Sequence, residues 1–345
     1  MPFRALVGHR RLLGLLSRSI AGASLPPSLI FSGPEGVGKR AAALAVAQAL
    51  NCSSPVAESE AGLALDACGS CPACGRIARG THPDVQTIAP GESGSIKIEQ
   101  VREAIAAAAY RPFEGRRRVF LVEEADALVP AAQNALLKTL EEPRPGSVFI
   151  LIAARADTLL ATVRSRCSRL RFGPLTAGEV ASVLVRDRGY GEREARAVAA
   201  LADGSVSRAL ELGAAEYAGA RETAVGLLRD AAASAGDADV RAMLEAVKPL
   251  TAKHGGGGGL RTDRERVALH LQALSSLLRD VSILATGAEP RLLANLDLES
   301  GLTTLASRFD GARAVRAFTA VDRAQQALDR NVSPKIVADW LALQL

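Results

Sequence analysis

The chain has 345 residues and a net charge of +5, from 42 Lys and Arg against 37 Asp and Glu. That length fits two or three domains, and 48% hydrophobic residues give a sizeable core and exclude a disordered chain. Aromatics make up only 3%, so the core is built of Leu, Val and Ala, and the composition argues against a stacking platform for single-stranded nucleic acid.

The first apolar run, Leu12 to Leu16, is broken by Gly14 and is too short for a signal-peptide core. No segment reads as long enough to span a membrane, so a cytoplasmic location without a membrane partner is expected. Residues 28–33 read as a short buried strand ending in glycine, followed by an Ala-rich helix from Lys39 to Leu50. Between Cys52 and Pro83 periodicity vanishes, which marks an inserted module. Val85–Ile88 is a strand, Val101–Tyr110 a helix and Val119–Val122 a buried strand. Ala131–Glu142 is a helix stopped by Pro143, Val148–Ile152 is a strand, and Leu170–Phe172 is the last strand candidate. This alternation predicts a parallel sheet covered on both faces.

From Pro174 everything reads as helix. Thr176 and Glu179 form a capping box beside Leu175. A small helical domain is expected to about residue 214, ending near the Asp203-Gly204-Ser205 loop. A second helical segment runs to residue 345. Its longest helix carries Val267, Leu271, Leu274, Leu278 and Val281 on one stripe. Gly255 to Gly259 read as a flexible loop. Ser333-Pro334 opens the final helix.

Three patterns carry chemistry. Gly33-Pro-Glu-Gly36-Val-Gly38-Lys39-Arg40 fits a phosphate loop between strand and helix. Its last position, normally a Mg²⁺-binding hydroxyl, is Arg40, which has donors only. The strand ending Glu123-Glu124-Ala-Asp126 has the Walker-B pattern. Glu123 stands at the metal position, one methylene longer than the usual Asp, and Glu124 at the base position. Cys68-x-x-Cys71-x-x-Cys74, with Cys52 upstream, predicts a closed structural Zn²⁺ site. His82 is the alternative fourth ligand, and zinc would fold an insert poor in apolar residues.

These motifs stand with Val7-Gly8-His9, Ile96–Arg102, Asn134–Pro143 and Ser165-Arg166-Cys167. Together they resemble the bacterial clamp-loader subunits of DNA polymerase III. The resemblance covers residues 1–212 and is only compatible beyond. It implies an AAA+ P-loop α/β domain over 1–174 with a zinc insert at about 52–82. A helical lid over 175–214 and an all-α collar over 215–345 would follow. Arg40, Glu123 and the pair Ala153-Ala154, where the family's ATPases carry hydroxyls, imply a degraded nucleotide site. With no long tail expected after the collar, the resemblance is to the delta-prime type rather than to the tau/gamma motor. ATP binding is then weak or absent, Glu124 is vestigial, and own ATPase activity is not expected. Arg166 is implied as a finger reaching a neighbour's ATP, and Arg208 matches the second sensor arginine. The implied partners are tau/gamma and delta subunits, with the sliding clamp and primed DNA engaged through the complex. The alternatives are a motor ATPase and a stand-alone zinc-containing DNA-binding protein. Only Arg116–Arg118 is a dense basic stretch for the latter.

Overall fold

The structure is a computed structural model. It describes residues 1–59, 62–212, 214–233, 241, 244–245, 247–251, 262–289, 293–309 and 311–344. The Gly255–Gly259 run lies outside them. The chain divides into two compact units: Met1–Glu179 with Gly204–Ser207, and Val180–Asp203 with Arg208–Leu345.

The first unit is built on β1 (Ser28–Ser32), β4 (Val85–Ile88), β5 (Arg118–Val122), β6 (Ser147–Ala153) and β7 (Ser168–Arg171). They form one parallel sheet in the order β4-β5-β6-β1-β7. Side chains alternate across it, so successive residues feed opposite cores. Leu29, Phe31, Val119, Leu121, Val148 and Ile150 join the Lys39–Asn51 helix on one face. Ile30, Phe120, Val122, Phe149 and Leu151 join the Ile98–Ala108 and Pro130–Glu141 helices on the other. Both faces are covered, as the continuous apolar runs of the central strands require.

The inserted segment is more ordered than its lack of periodicity suggested. It contains an antiparallel hairpin, β2 (Val56–Ser59) with β3 (Leu63–Asp66), and a helix, Pro72–Arg79. Its order comes from partners far away in the chain. Ser17, on an unforeseen helix Arg10–Ala21, donates its hydroxyl to Leu65 O at 2.8 Å and accepts from Leu65 N at 2.9 Å. Buried Asp66 accepts from Phe3 N at 2.8 Å and Arg4 N at 3.1 Å.

A second buried carboxylate fixes the loop before β5. Asp84 accepts from the backbone N–H of Phe113, Glu114 and Gly115 at 2.6, 2.9 and 2.8 Å, and pairs with Arg118 at 3.3 Å. Burial disfavours its charge. The three N–H donors and the Arg118 guanidinium outweigh that and hold its carboxyl below the ordinary value. A folded pKa below the unfolded one means that this stabilisation is present at neutral pH. It is lost as pH falls through the folded value. Asp84→Ala leaves the donors unpaired and is expected to cost about 3–5 kcal/mol in denaturant unfolding.

The second unit is helical. Its central helix, Asp263–Ala285, packs against Ala214–Ala233 and Gly311–Asp329. Val267, Leu271, Leu274, Leu278 and Val281 are all buried, as the stripe predicted. This 23-residue helix is long and apolar enough, by length and composition, to cross a membrane, which corrects the expectation that no segment reaches that threshold. Its apolar face is instead occupied by neighbouring helices. Thr262 and Glu265 cap its start in a water-facing motif. The Thr176–Glu179 capping box forms as predicted, with Thr176 N donating to Glu179 at 2.8 Å. Ser333 occupies the N-cap of the Pro334–Ala342 helix but makes no side-chain cap bond.

Candidate functional site

The site is built where β1 ends. Gly33 follows with φ +145°, and a Cβ there would lie 2.0 Å from Phe172 O, so only glycine fits. Gly36 (φ +71°) lies against Ser205 and Ser207, and Val206 N donates to Gly36 O at 2.9 Å. Gly38 (φ +97°) is the N-cap of the Lys39–Asn51 helix. Strand, glycine loop and helix are thus placed as the motif requires.

Lys39 does not project into an open cradle. It is buried, and its ammonium donates to Gly33 O and Pro34 O, both at 2.5 Å. Burial lowers its pKa, against the opposing influence of Glu35 and Asp126. His9 reaches the same loop, with Nε2 2.9 Å from Val37 O and its ring edge-on to Phe172 at 4.9 Å.

The acids come from β5, with β6 between it and β1. Glu123 directly follows β5, and its Oε1 accepts from Arg40 Nε at 2.5 Å. The guanidinium therefore stands beside the carboxylate that in an ATPase would face Mg²⁺. Arg40 is 62% exposed and Glu123 20% exposed, so the pair is accessible to solvent and worth little in stability. Its effect is on charge: the acid is neutralised by the protein's own cation. Glu124 sits in the left-handed region at φ 47°, an uncommon conformation for a residue with a Cβ, and is exposed. Asp126 accepts from Ala154 N at 2.6 Å, Arg155 N at 2.9 Å and Thr158 Oγ1 at 2.9 Å, which ties the end of β6 to the acidic turn. Ala153 is buried at that strand end and brings no polar side chain.

Two predicted arginines pair with acids of their own unit. Arg166 lies just beyond the short Ala161–Arg164 helix. It donates to Glu141 Oε2 and to Thr162 O, each at 3.0 Å. Arg208 belongs to the second unit and pairs with Asp203 at 2.6 Å.

The four cysteines do come together. The sulfurs of Cys52, Cys68, Cys71 and Cys74 all lie within 4.8 Å of one another, and Cys52 and Cys71 are 3.9 Å apart. A tetrahedron with Zn–S bonds of about 2.3 Å has edges of roughly 3.8 Å, so this set fits a metal ion. Cys68 N, Cys71 N and Cys74 N donate to the sulfurs of Cys52, Cys68 and Cys71. Burial pushes the Cys52 and Cys74 thiols up. At Cys71, backbone donation from Cys74 and Ser53 overrides burial and brings the thiol down to about 5. His82 is outside the cluster. Its Nδ1 accepts from Asp84 N at 3.1 Å and its Nε2 faces Glu114 at 3.4 Å.

Three contributors are not evident from the sequence. Asp126 reads only as part of a motif, Ser205–Val206 only as a loop, and Asp66 carries no signal at all. The left-handed Gly204, whose Cβ would meet Leu175 O at 2.4 Å, is the available signal for the second.

A parallel sheet with a glycine loop after β1 and an acid-ended β5 two strands away defines a P-loop α/β domain of the AAA+ class. Residues 8–176 match the family model described as "DNA polymerase III, delta subunit". That match covers just under half of the chain. It is 41% identical over 139 residues to DNA polymerase III subunit delta' of Pseudomonas aeruginosa, covering 40% of each chain. It is 32% identical over 202 residues to subunit delta' of Bacillus subtilis, covering 59% of this chain and 58% of that one. It is also 32% identical over 215 residues to subunit tau of Salmonella typhimurium, covering 61% of this chain and 32% of the relative. The chain therefore spans only part of the length of the curated relatives it matches.

Proposed function

We propose that this chain is a delta-prime type stator of a DNA polymerase III clamp loader, without ATPase activity of its own. It sits in a ring with tau/gamma and delta subunits and presents Arg166 to the ATP of a neighbour. The assembled ring opens a sliding clamp and places it on primed DNA in the cytoplasm. The division into an AAA+ domain (1–174), a lid (175–214) and a collar (215–345) belongs to the same reading. So do a structural Zn²⁺ on the four cysteines and a relic role for Glu124 and Arg208.

The Arg40–Glu123 pair is the observation that carries it. A site that meets Mg²⁺ with a guanidinium, and whose lysine bonds its own loop carbonyls, is poorly suited to Mg-nucleotide. Similarity to delta' relatives supports the same assignment. The test is nucleotide binding and turnover by the purified chain with and without Mg²⁺. The expected result is no turnover and no Mg²⁺-dependent binding. Arg40→Thr combined with Glu123→Asp returns the hydroxyl and the shorter acid, and is expected to create Mg²⁺-dependent binding by calorimetry. Stability should change by less than about 1 kcal/mol, because the pair is exposed. Mg²⁺-dependent turnover by the wild type would instead assign the chain to the motor type, the reading that similarity to a tau subunit favours.

A further inference from the structure

Arg4 stands 64 residues before Cys68 in the chain, yet its guanidinium lies against the cysteine cluster. Its Nη1 donates to Ala67 O and its Nη2 to Cys68 O, each at 2.7 Å. These two carbonyls belong to successive peptide groups. The N–H of the first, Cys68 N, donates to the Cys52 sulfur at 3.2 Å. The N–H of the second, Gly69 N, donates toward the Cys74 sulfur. The planar fork thus grips the outer ends of two peptides whose inner ends face sulfur. A cation on the carbonyl polarises the peptide and makes its N–H a better donor. Donation to sulfur favours the thiolate, which is the form that binds a metal.

Arg4 is itself held. Buried Asp66 accepts from Arg4 N and from Arg4 Nη1, each at 3.1 Å. The other carboxylate oxygen accepts from Phe3 N and Ala67 N, both at 2.8 Å. The carboxylate therefore orients the guanidinium and offsets its charge.

The pattern recurs around the cluster. The Cys52 carbonyl accepts from Arg116, and the next amide, Ser53 N, donates toward the Cys71 sulfur. Buried Gln48 donates to Cys74 O at 2.8 Å. Cys52, Cys68 and Cys74 each give their carbonyl to a side chain from outside the insert. The donors of the cage are thus set from elsewhere in the first unit, and Arg4 sets two of them.

We propose that Arg4, oriented by Asp66, is an outer-sphere positioning residue for the metal, strengthening N–H donation to the sulfurs of Cys52 and Cys74. The inference rests on the reading of this cluster as a zinc site. Its test is zinc affinity of the full chain, by competition with a chromophoric chelator, together with the absorption spectrum of the cobalt-substituted protein. Arg4→Met keeps an apolar stem and should weaken zinc binding by about 10- to 100-fold. It should also move the sulfur-to-cobalt charge-transfer band to lower energy, because sulfurs with weaker donors give up an electron more readily. Arg4→Lys keeps the charge but loses the fork, and should recover only part of both effects. Ser17→Ala is the structural comparison: it frees Leu65 without touching the gripped peptides and should leave the band in place. Zinc held at wild-type affinity by Arg4→Met would overturn the proposal. So would weakened binding with an unmoved band, which would make Arg4 a clamp on the insert and nothing more. Failure of the wild type to bind zinc would remove the metal reading itself, and this role with it.

Discussion

Arg166→Ala is expected to lower ATP turnover of the reconstituted clamp loader by about 10³-fold or more while the complex still assembles. An arginine supplied in trans neutralises charge that develops only in the transition state, so its loss falls on turnover rather than on ring formation. Arg166 donates to Thr162 O and to Glu141, at 3.0 Å from each. Glu141 is exposed, so a phosphate oxygen can displace it at small cost. The chain's own stability should therefore change by less than about 1 kcal/mol. Arg166→Lys keeps the charge but loses the planar fork, and should recover only part of the rate. Glu141→Gln removes the holding charge and should leave turnover at or above the wild-type level. Steady-state phosphate release, with gel filtration to show assembly, measures all three. Wild-type turnover from Arg166→Ala would remove the finger role.

Cys71→Ser is expected to lose about one zinc per chain and unfold the inserted segment. Metal content by mass spectrometry and protease sensitivity between residues 52 and 80 are the readouts. Structural zinc contributes about 10–16 kcal/mol in isolated finger peptides. The loss here should be smaller, several kcal/mol, because part of the insert has other anchors. Ser17 holds Leu65, and Asp66 binds Phe3 N and Arg4 N without any metal. A chelator should reproduce the effect in the wild type, with the sheet cores intact. Metal-free protein with a protected insert would sink the assignment. Asp84→Ala offers a contrast: it should destabilise the first unit without releasing metal.

Much of the fold is legible from local pattern. Strands β1, β4, β5 and β6 fall within a residue or two of their expected positions, because runs such as Val119–Val122 are buried on both faces and carry no ambiguity of side. The phosphate loop is legible because glycine at 33, 36 and 38 answers a backbone demand visible in the chain itself. The four cysteines are legible because three of them recur at every third position, which sets their sulfurs close together. The hairpin β2–β3 is not, since it has no apolar period and depends on Ser17 and the N-terminal segment. The helix Arg10–Ala21 reads in sequence only as a short apolar run.

The sequence by itself determined the alternation that builds the sheet, the chemical identity of the four sulfurs, and the absence of a Mg²⁺-binding hydroxyl at position 40. These depend on residue type, and on interactions within a turn or a strand. Only the tertiary structure decided where the charges went. Arg40 meets Glu123, 83 residues away, and Arg166 meets Glu141, 25 residues away. Asp84 gathers N–H groups some 30 residues further on. Such pairings depend on which strand ends and loops the fold brings together, and no local period or propensity encodes them. A carboxylate reads the same in sequence whether it faces water, a guanidinium or three amides; the folded chain alone assigns its partner.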